Sequence, residues 1–166
     1  MILSGHQPNY LPYPGFFSKI HCSDKFIFVS NVQFEKKSWQ LRNKILSAKY
    51  GESILLSVPI LKTKNGDKIK DIKINTLSNW REKHFKSISL IYKNSPFYKN
   101  YIGFFEDLFS KEWSMLNDLN IYLTKHLIKE LEIDTKIYFD TDYSFQGKKT
   151  DRLVEICKKL NSTTYL

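Results

Sequence analysis

Residues 1–30 read MILSG, HQPNYLPYP, GFFSKIH, CSD and KFIFVS, and this partition decides the fold. The first five residues are an apolar run of strand length. The next nine, residues 6–14, include Pro8, Pro12 and Pro14. Proline lacks a backbone N–H and fixes φ, so this stretch reads as a stiff, extended loop. From Gly15 to His21 the apolar residues Phe16, Phe17 and Ile20 share one face of a helix. Residues 25–30 are again a continuous apolar run of strand length. Strand, loop, helix and strand within about 30 residues predict a βαβ unit, with parallel strands and a right-handed crossover.

Beyond this unit, Val32 and Phe34 are suited to extending the second strand. Residues 39–45 alternate in part and read as another strand, and residues 53–60 as a further one ending near Pro59. The sequence Lys64-Asn65-Gly66-Asp67 is a hairpin turn signal, because Asn-Gly supplies positive φ. Residues 69–74 alternate apolar and polar, which predicts a strand packed on one face. After Asn75 the periodicity turns helical. Ser78 is placed to cap a helix carrying Trp80, His84, Ile88 and Ile91, and Pro96 breaks it. A second helix carries Tyr101, Phe104, Phe105, Leu108 and Phe109. A third starts near Ser114 with Met115, Leu119, Leu123, Leu127 and Leu131. Residues 136–140 read as a strand, Thr150 caps a last helix through Leu160, and residues 163–166 open another strand. The expected fold is α/β: a small parallel or mixed sheet with an N-terminal βαβ unit, then a mostly helical second half. The length of 166 residues suits one domain spanning the whole chain.

The composition is 42% hydrophobic, enough to fold without staples. The 12 Phe, 10 Tyr and 3 Trp are absorbed mainly by the core. The net charge of +9 comes almost wholly from lysine, since Arg42, Arg81 and Arg152 are the only arginines. Such a field attracts phosphates, nucleotide-sugars, nucleic acids and anionic surfaces. The lysines are scattered, however, and no nucleic-acid motif accompanies them, so nucleic acid is not the expected partner. Cys22 and Cys157 fall in apolar helical patterns and form neither a CxxC pair nor a zinc-ligand spacing, so no metal site is expected. Met1 runs straight into a strand, which does not resemble a signal peptide. No apolar run approaches the roughly 20 residues that span a bilayer. The expected location is the cytoplasm.

Chemistry concentrates in the first 43 residues. His6-Gln7-Pro8-Asn9-Tyr10 places four hydrogen-bonding side chains in five residues directly after a strand. In open α/β sheets ligands bind outside the carboxyl ends of parallel strands, which is where this loop falls. Its prolines pre-position the polar groups, and the helix from Gly15 aims its positive end toward the same place. A second cluster, Gln33, Lys36, Lys37, Arg42 and Asn43, follows the second strand, and Arg42 carries a guanidinium able to grip phosphate bidentately. His6 is the expected catalytic acid or base, because an imidazole titrates near neutral pH. Gln7, Asn9, Tyr10, Lys19, Gln33, Lys36, Arg42, Asn43 and His84 are the expected substrate- or phosphate-binding residues. Tyr10 or Trp39 would supply a stacking surface. Asp140 and Asp142, two apart at a strand end, read as solvated acids. P-loop, GxGxxG, GxSxG and HExxH patterns are absent, so the sequence names no cofactor. These residues suit a small, phosphate-bearing substrate.

The run from Gly5 to Ile20, GHQPNYLPYPGFFSKI, resembles the opening signature of the WbqC-like protein family. Ser23-Asp24-Lys25-Phe26, Val32-Gln33-Phe34, Arg42-Asn43-Lys44-Ile45, Ser57-Val58-Pro59-Ile60, Ile72-Lys73-Ile74 and Trp80-Arg81-Glu82-Lys83-His84 fit as well, so the resemblance covers nearly the whole chain. Members of the family usually continue past residue 166, which implies a further C-terminal portion. The family is associated with bacterial surface-polysaccharide (O-antigen) gene clusters. The resemblance implies this context more than a reaction, and within it the expected function is an enzyme that modifies an amino sugar or nucleotide-linked sugar, by acyl or aminoacyl transfer or ligation. A non-catalytic basic binding module for nucleic acid and a scaffold subunit of a polysaccharide assembly complex are the alternatives. More weakly, Tyr13-Pro14-Gly15-Phe16 stands where nucleotidyltransferase-like enzymes carry HxGH, with Tyr13 and Phe16 in place of its two histidines.

Overall fold

The computed structural model describes residues 1–166 apart from Ala48 and Tyr50. The opening segment folds as the sequence predicts: β1 (Ile2–His6), α1 (Pro14–His21) and β2 (Lys25–Phe28). Pro14 occupies the first turn of α1, where its missing N–H costs nothing. Then come β3 (Arg42–Leu46) and β4 (Ser53–Ser57), followed by three helices, α2 (Trp80–Tyr92), α3 (Tyr98–Ser110) and α4 (Leu116–Glu130). The chain ends with β5 (Lys136–Phe139), α5 (Lys149–Lys159) and β6 (Thr164–Tyr165).

Four strands pair in the order β5-β2-β1-β6, and every pair is parallel. Numbered within the sheet this is 3-2-1-4, the first part of the doubly wound order. From β1 the chain steps through α1 to β2 on one side. From β5 it steps through α5 back across to β6 on the other. Right-handed crossovers in opposite directions require α1 and α5 to lie on opposite faces, and they do. Phe16, Phe17 and Ile20 of α1 pack with Phe26, Phe28 and Ile128. Ile156 of α5 and Leu160 pack with Leu3 and Ile27 on the reverse face. The near-continuous apolar character of KFIF follows from burial of β2 on both faces.

The β3–β4 hairpin is antiparallel and separate from this sheet. It covers a third and larger core, where Tyr10, Ile69, Ile72, Trp80, Leu116 and Leu119 meet. Residues 69–74 depart from the expected strand. Ile69–Asp71 is a single 3-10 turn, and only isolated bridges follow, Ile74 to Ile60 and Lys73 to Met115. Ile69 and Ile72, three apart, both enter the large core, which is the spacing of one 3-10 turn rather than of a pleat. The Asn65-Gly66 turn does form, with Gly66 at φ 92°, but it brings Lys68 back to Gln33 instead of joining two long strands. The caps also differ. Asn79 and Lys148 stand at the starts of α2 and α5, where Ser78 and Thr150 were expected, and neither makes a side-chain cap. Among the described residues no helix is long and apolar enough to cross a membrane.

Candidate functional site

The carboxyl ends of β1, β2 and β5 lie side by side, so the residues that follow them share one rim. His6 ends β1, Ser30 and Asn31 follow β2, and Asp140 follows β5. His6 is half-buried, its ring edge-on to Phe16 with centroids 5.0 Å apart. Its Nδ1 donates to the Gln7 carbonyl at 2.8 Å. A carbonyl only accepts, so Nδ1 carries the proton in the neutral ring and the lone pair sits on Nε2. No described residue hydrogen-bonds Nε2, which leaves the basic nitrogen for a ligand.

The floor of the rim is built around Asp140, which is fully buried. Its carboxylate accepts from the Ser30 amide at 2.8 Å, the Asn31 amide at 3.0 Å and the Arg152 guanidinium at 3.0 Å. A charge so placed is tolerable only because several donors converge on it. Asp140 therefore ties the ends of β2 and β5 to α5. Asp142 is exposed, so the two acids have different roles, and the described residues contain no cluster of three or more His, Cys, Asp or Glu able to hold a metal ion. Ser30 in turn donates to Asn117 at 2.7 Å.

The proline loop is held against the segment leading into β3. Gln40 Nε2 donates to Gln7 Oε1 at 2.6 Å, Tyr10 N to the Trp39 carbonyl at 3.0 Å, and the Asn43 amide to the Leu11 carbonyl. Buried Asn120 of α4 clamps both strips, donating to the Gln40 carbonyl at 2.7 Å and lying 3.4 Å from that of Pro8. The two segments singled out in the sequence are thus neighbours. Gln40, Asn120, Ser30, Asn31 and Arg152 are parts of this arrangement that sequence reasoning missed.

The predicted site residues divide into four groups. His6 and Gln7 stand at the rim, and Lys19 lies just below it, its ammonium 3.3 Å from the Gly5 carbonyl. Partial burial pushes the Lys19 ammonium below its ordinary pKa. Asn9, Asn43 and Trp39 line a cleft of about 260 Å³ between the loop and β3, together with Tyr10, Pro12 and Tyr13. Gln33 and Lys36 are exposed on the loop after β2, where Gln33 bonds Asn65. Arg42 bonds the Lys37 carbonyl at the start of β3.

Tyr10 and His84 form the fourth group, and they lie in the interior. The Tyr10 hydroxyl donates to His84 Nδ1 at 2.8 Å, and Trp80 and Phe109 surround the imidazole. Burial pushes His84 down to about 4, against a backbone hydrogen bond with Ser57 that works the other way. Burial likewise raises the Tyr10 phenol well above its ordinary value. The pair is neutral at pH 7 and joins the loop to α2. Neither ring faces solvent, so the stacking surfaces left around the loop are Tyr13 and Trp39.

A model of the WbqC-like protein family matches residues 7–166. The uncharacterised protein Rv1507c of Mycobacterium tuberculosis is 26% identical over 161 residues, covering 96% of this chain and 69% of that protein. No solved structure matches.

Proposed function

The chain belongs to the WbqC-like protein family, and from that premise and the site geometry we propose a cytoplasmic enzyme of bacterial surface-polysaccharide biosynthesis. Its substrate is an amino sugar or nucleotide-linked sugar, and its reaction is acyl or aminoacyl transfer, or ligation, onto the amine. The whole chain acts as one domain. The observation that carries this reading is His6: an imidazole at the carboxyl end of the first strand of a 3-2-1-4 parallel sheet, with Nδ1 tied down and Nε2 free.

In this reading the sugar nitrogen attacks the carbonyl carbon of an activated acyl donor. His6 Nε2 takes the proton released by the nitrogen. It returns that proton to the leaving group as the bond from carbonyl carbon to leaving group breaks. Gln7, fixed by Gln40, orients the substrate, and Lys19, Lys36 and Arg42 supply positive charge for phosphate. Incubation with nucleotide-linked amino sugars and activated acyl donors, followed by mass spectrometry, tests the reading. His6→Ala is expected to abolish product while lowering Tm by only a few degrees, since the ring gives up one hydrogen bond and one edge contact. Product formation at the wild-type rate by the variant refutes it.

A further inference from the structure

We propose that the cleft between the proline loop and β3 is a subsite for a neutral pyranose, and that the apolar groove adjoining it holds an apolar acyl substituent of the same sugar. The inference rests on the reading above that the substrate is a sugar, and it names what that sugar carries.

Three features of the cleft point to a ligand. Two aromatic side chains line it from different segments, Tyr13 (54% exposed) and Trp39 (50% exposed). Rings of this size usually bury most of their area, and here both stay half open while lining the same small hollow. Asn9 lines the same hollow and is only 5% exposed. Its amide has no hydrogen-bond partner among the described residues, yet neither amide atom is sealed from solvent. The small exposed part of Asn9 therefore gives onto the cleft that it lines. An amide that faces the cleft and has no partner among the described residues is open to a ligand hydroxyl. Finally, among the described residues no Lys, Arg, Asp or Glu lines the cleft, which suits an uncharged group. Aromatic rings and an amide lining one hollow match a sugar ring, with its C–H faces and its rim of hydroxyls.

Gly15 serves the same arrangement. A Cβ at this position would sit 2.5 Å from Cε2 of Tyr13, so glycine lets the ring lie across the start of α1. The residue is helical, and alanine would otherwise favour the helix.

The groove shares Pro12, Tyr13 and Asn43 with the cleft, so the two hollows adjoin. It has a volume of about 520 Å³, and its walls include Ile45, Ile88, Phe97, Tyr101, Ile102 and Phe105. Lys44 is the one charged side chain on its lining among the described residues. An apolar chain continuing from the sugar fits this lining, while a second polar unit does not.

Titration of the full chain with N-acetylglucosamine and N-octanoylglucosamine, by calorimetry and saturation-transfer NMR, tests both parts. Burial contributes about fourfold in affinity per methylene, so half-burying the six added methylenes gives a preference of roughly fifty-fold for the octanoyl probe. Trp39→Ala and Tyr13→Ala are expected to weaken both probes by about five- to ten-fold. Gly15→Ala should do the same with Tm maintained, because it displaces the Tyr13 ring without damaging α1. Phe97→Ser, at an exposed groove residue, should reduce only the gain from chain length. Absence of saturable binding, equal affinity for the two probes, insensitivity to Trp39→Ala, or a preference for nucleosides over both glucosamines overturns the subsite. If the subsite fails while His6-dependent turnover stands, the enzyme reading survives. Sugar binding without turnover leaves the subsite and removes that reading.

Discussion

His84 provides a pH titration with a calculable outcome. Its folded pKa of about 4 lies below the ordinary imidazole value of 6.5 because the ring is buried against Tyr10, Trp80 and Phe109. Between those two values the unfolded chain binds a proton that the folded chain refuses. Acidification therefore favours unfolding, and stability falls as pH drops below about 6.5. The whole gap corresponds to about 3 kcal/mol, and roughly 2 kcal/mol of it is lost by pH 5. Glu82, Asp107 and Glu155 are held below the ordinary carboxylate range, first by Lys86, by Lys111 and by the Gly147 amide respectively, so their contributions are lost at lower pH. Urea unfolding at pH 7.5, 6 and 5, followed by tryptophan fluorescence, isolates the effect. His84→Gln is the control, since an amide can accept from Tyr10 and donate to Ser57 without titrating. The wild type is expected to lose roughly 2 kcal/mol more than the variant over this range. Equal losses in both proteins, or greater stability at pH 5, refute the assignment of His84 as a neutral interior group.

Other substitutions test the frame of the site. Asp140→Ala leaves the Ser30 and Asn31 amides and the Arg152 guanidinium without their shared acceptor, and should cost about 3–5 kcal/mol, seen as a Tm loss of roughly 10 °C or more. Adding Arg152→Ala should restore part of that loss, and strictly additive costs refute the coupling. Gly5→Ala would press its Cβ to 2.9 Å from Cγ2 of Ile27 and 3.1 Å from the Ile27 carbonyl. An overpacking cost of about 1–3 kcal/mol in chemical denaturation is expected. Asn120→Ala removes the donor to the Gln40 carbonyl, and hydrogen exchange at the Tyr10 amide should quicken by more than at β2 if this clamp holds the loop.

Local periodicity carried far because the opening βαβ unit is made of short-range choices. Three prolines stiffen the loop, Pro14 starts α1, and KFIF announces a strand covered on both faces. Pro96 likewise separates α2 from α3. Residues 69–74 show the limit of the same reasoning. Apolar residues at 69, 72 and 74 satisfy an alternating pattern almost as well as a 3-10 turn, and the large core decided between them. Asp140 and Asp142 look alike in sequence, yet one is fully buried and the other exposed. Nothing near Asp140 in the chain announces the amides 110 residues away that it binds. Tyr10 reads as a site residue from its polar loop, while His84, four residues after Trp80 on the inward face of its helix, reads as a core histidine that could also serve a site. Their partner is each other, across 74 residues.

The sequence by itself determined the α/β class, the N-terminal βαβ unit, the helical second half and the loop that carries His6. Those features follow from patterns repeating within a few residues. Tertiary structure alone decided the 3-2-1-4 strand order, the burial of the Tyr10–His84 pair and the cleft shared by Asn9, Tyr13 and Trp39. Each of these depends on which distant segments pack together, and a hydrophobic pattern specifies that a face is covered without specifying by what.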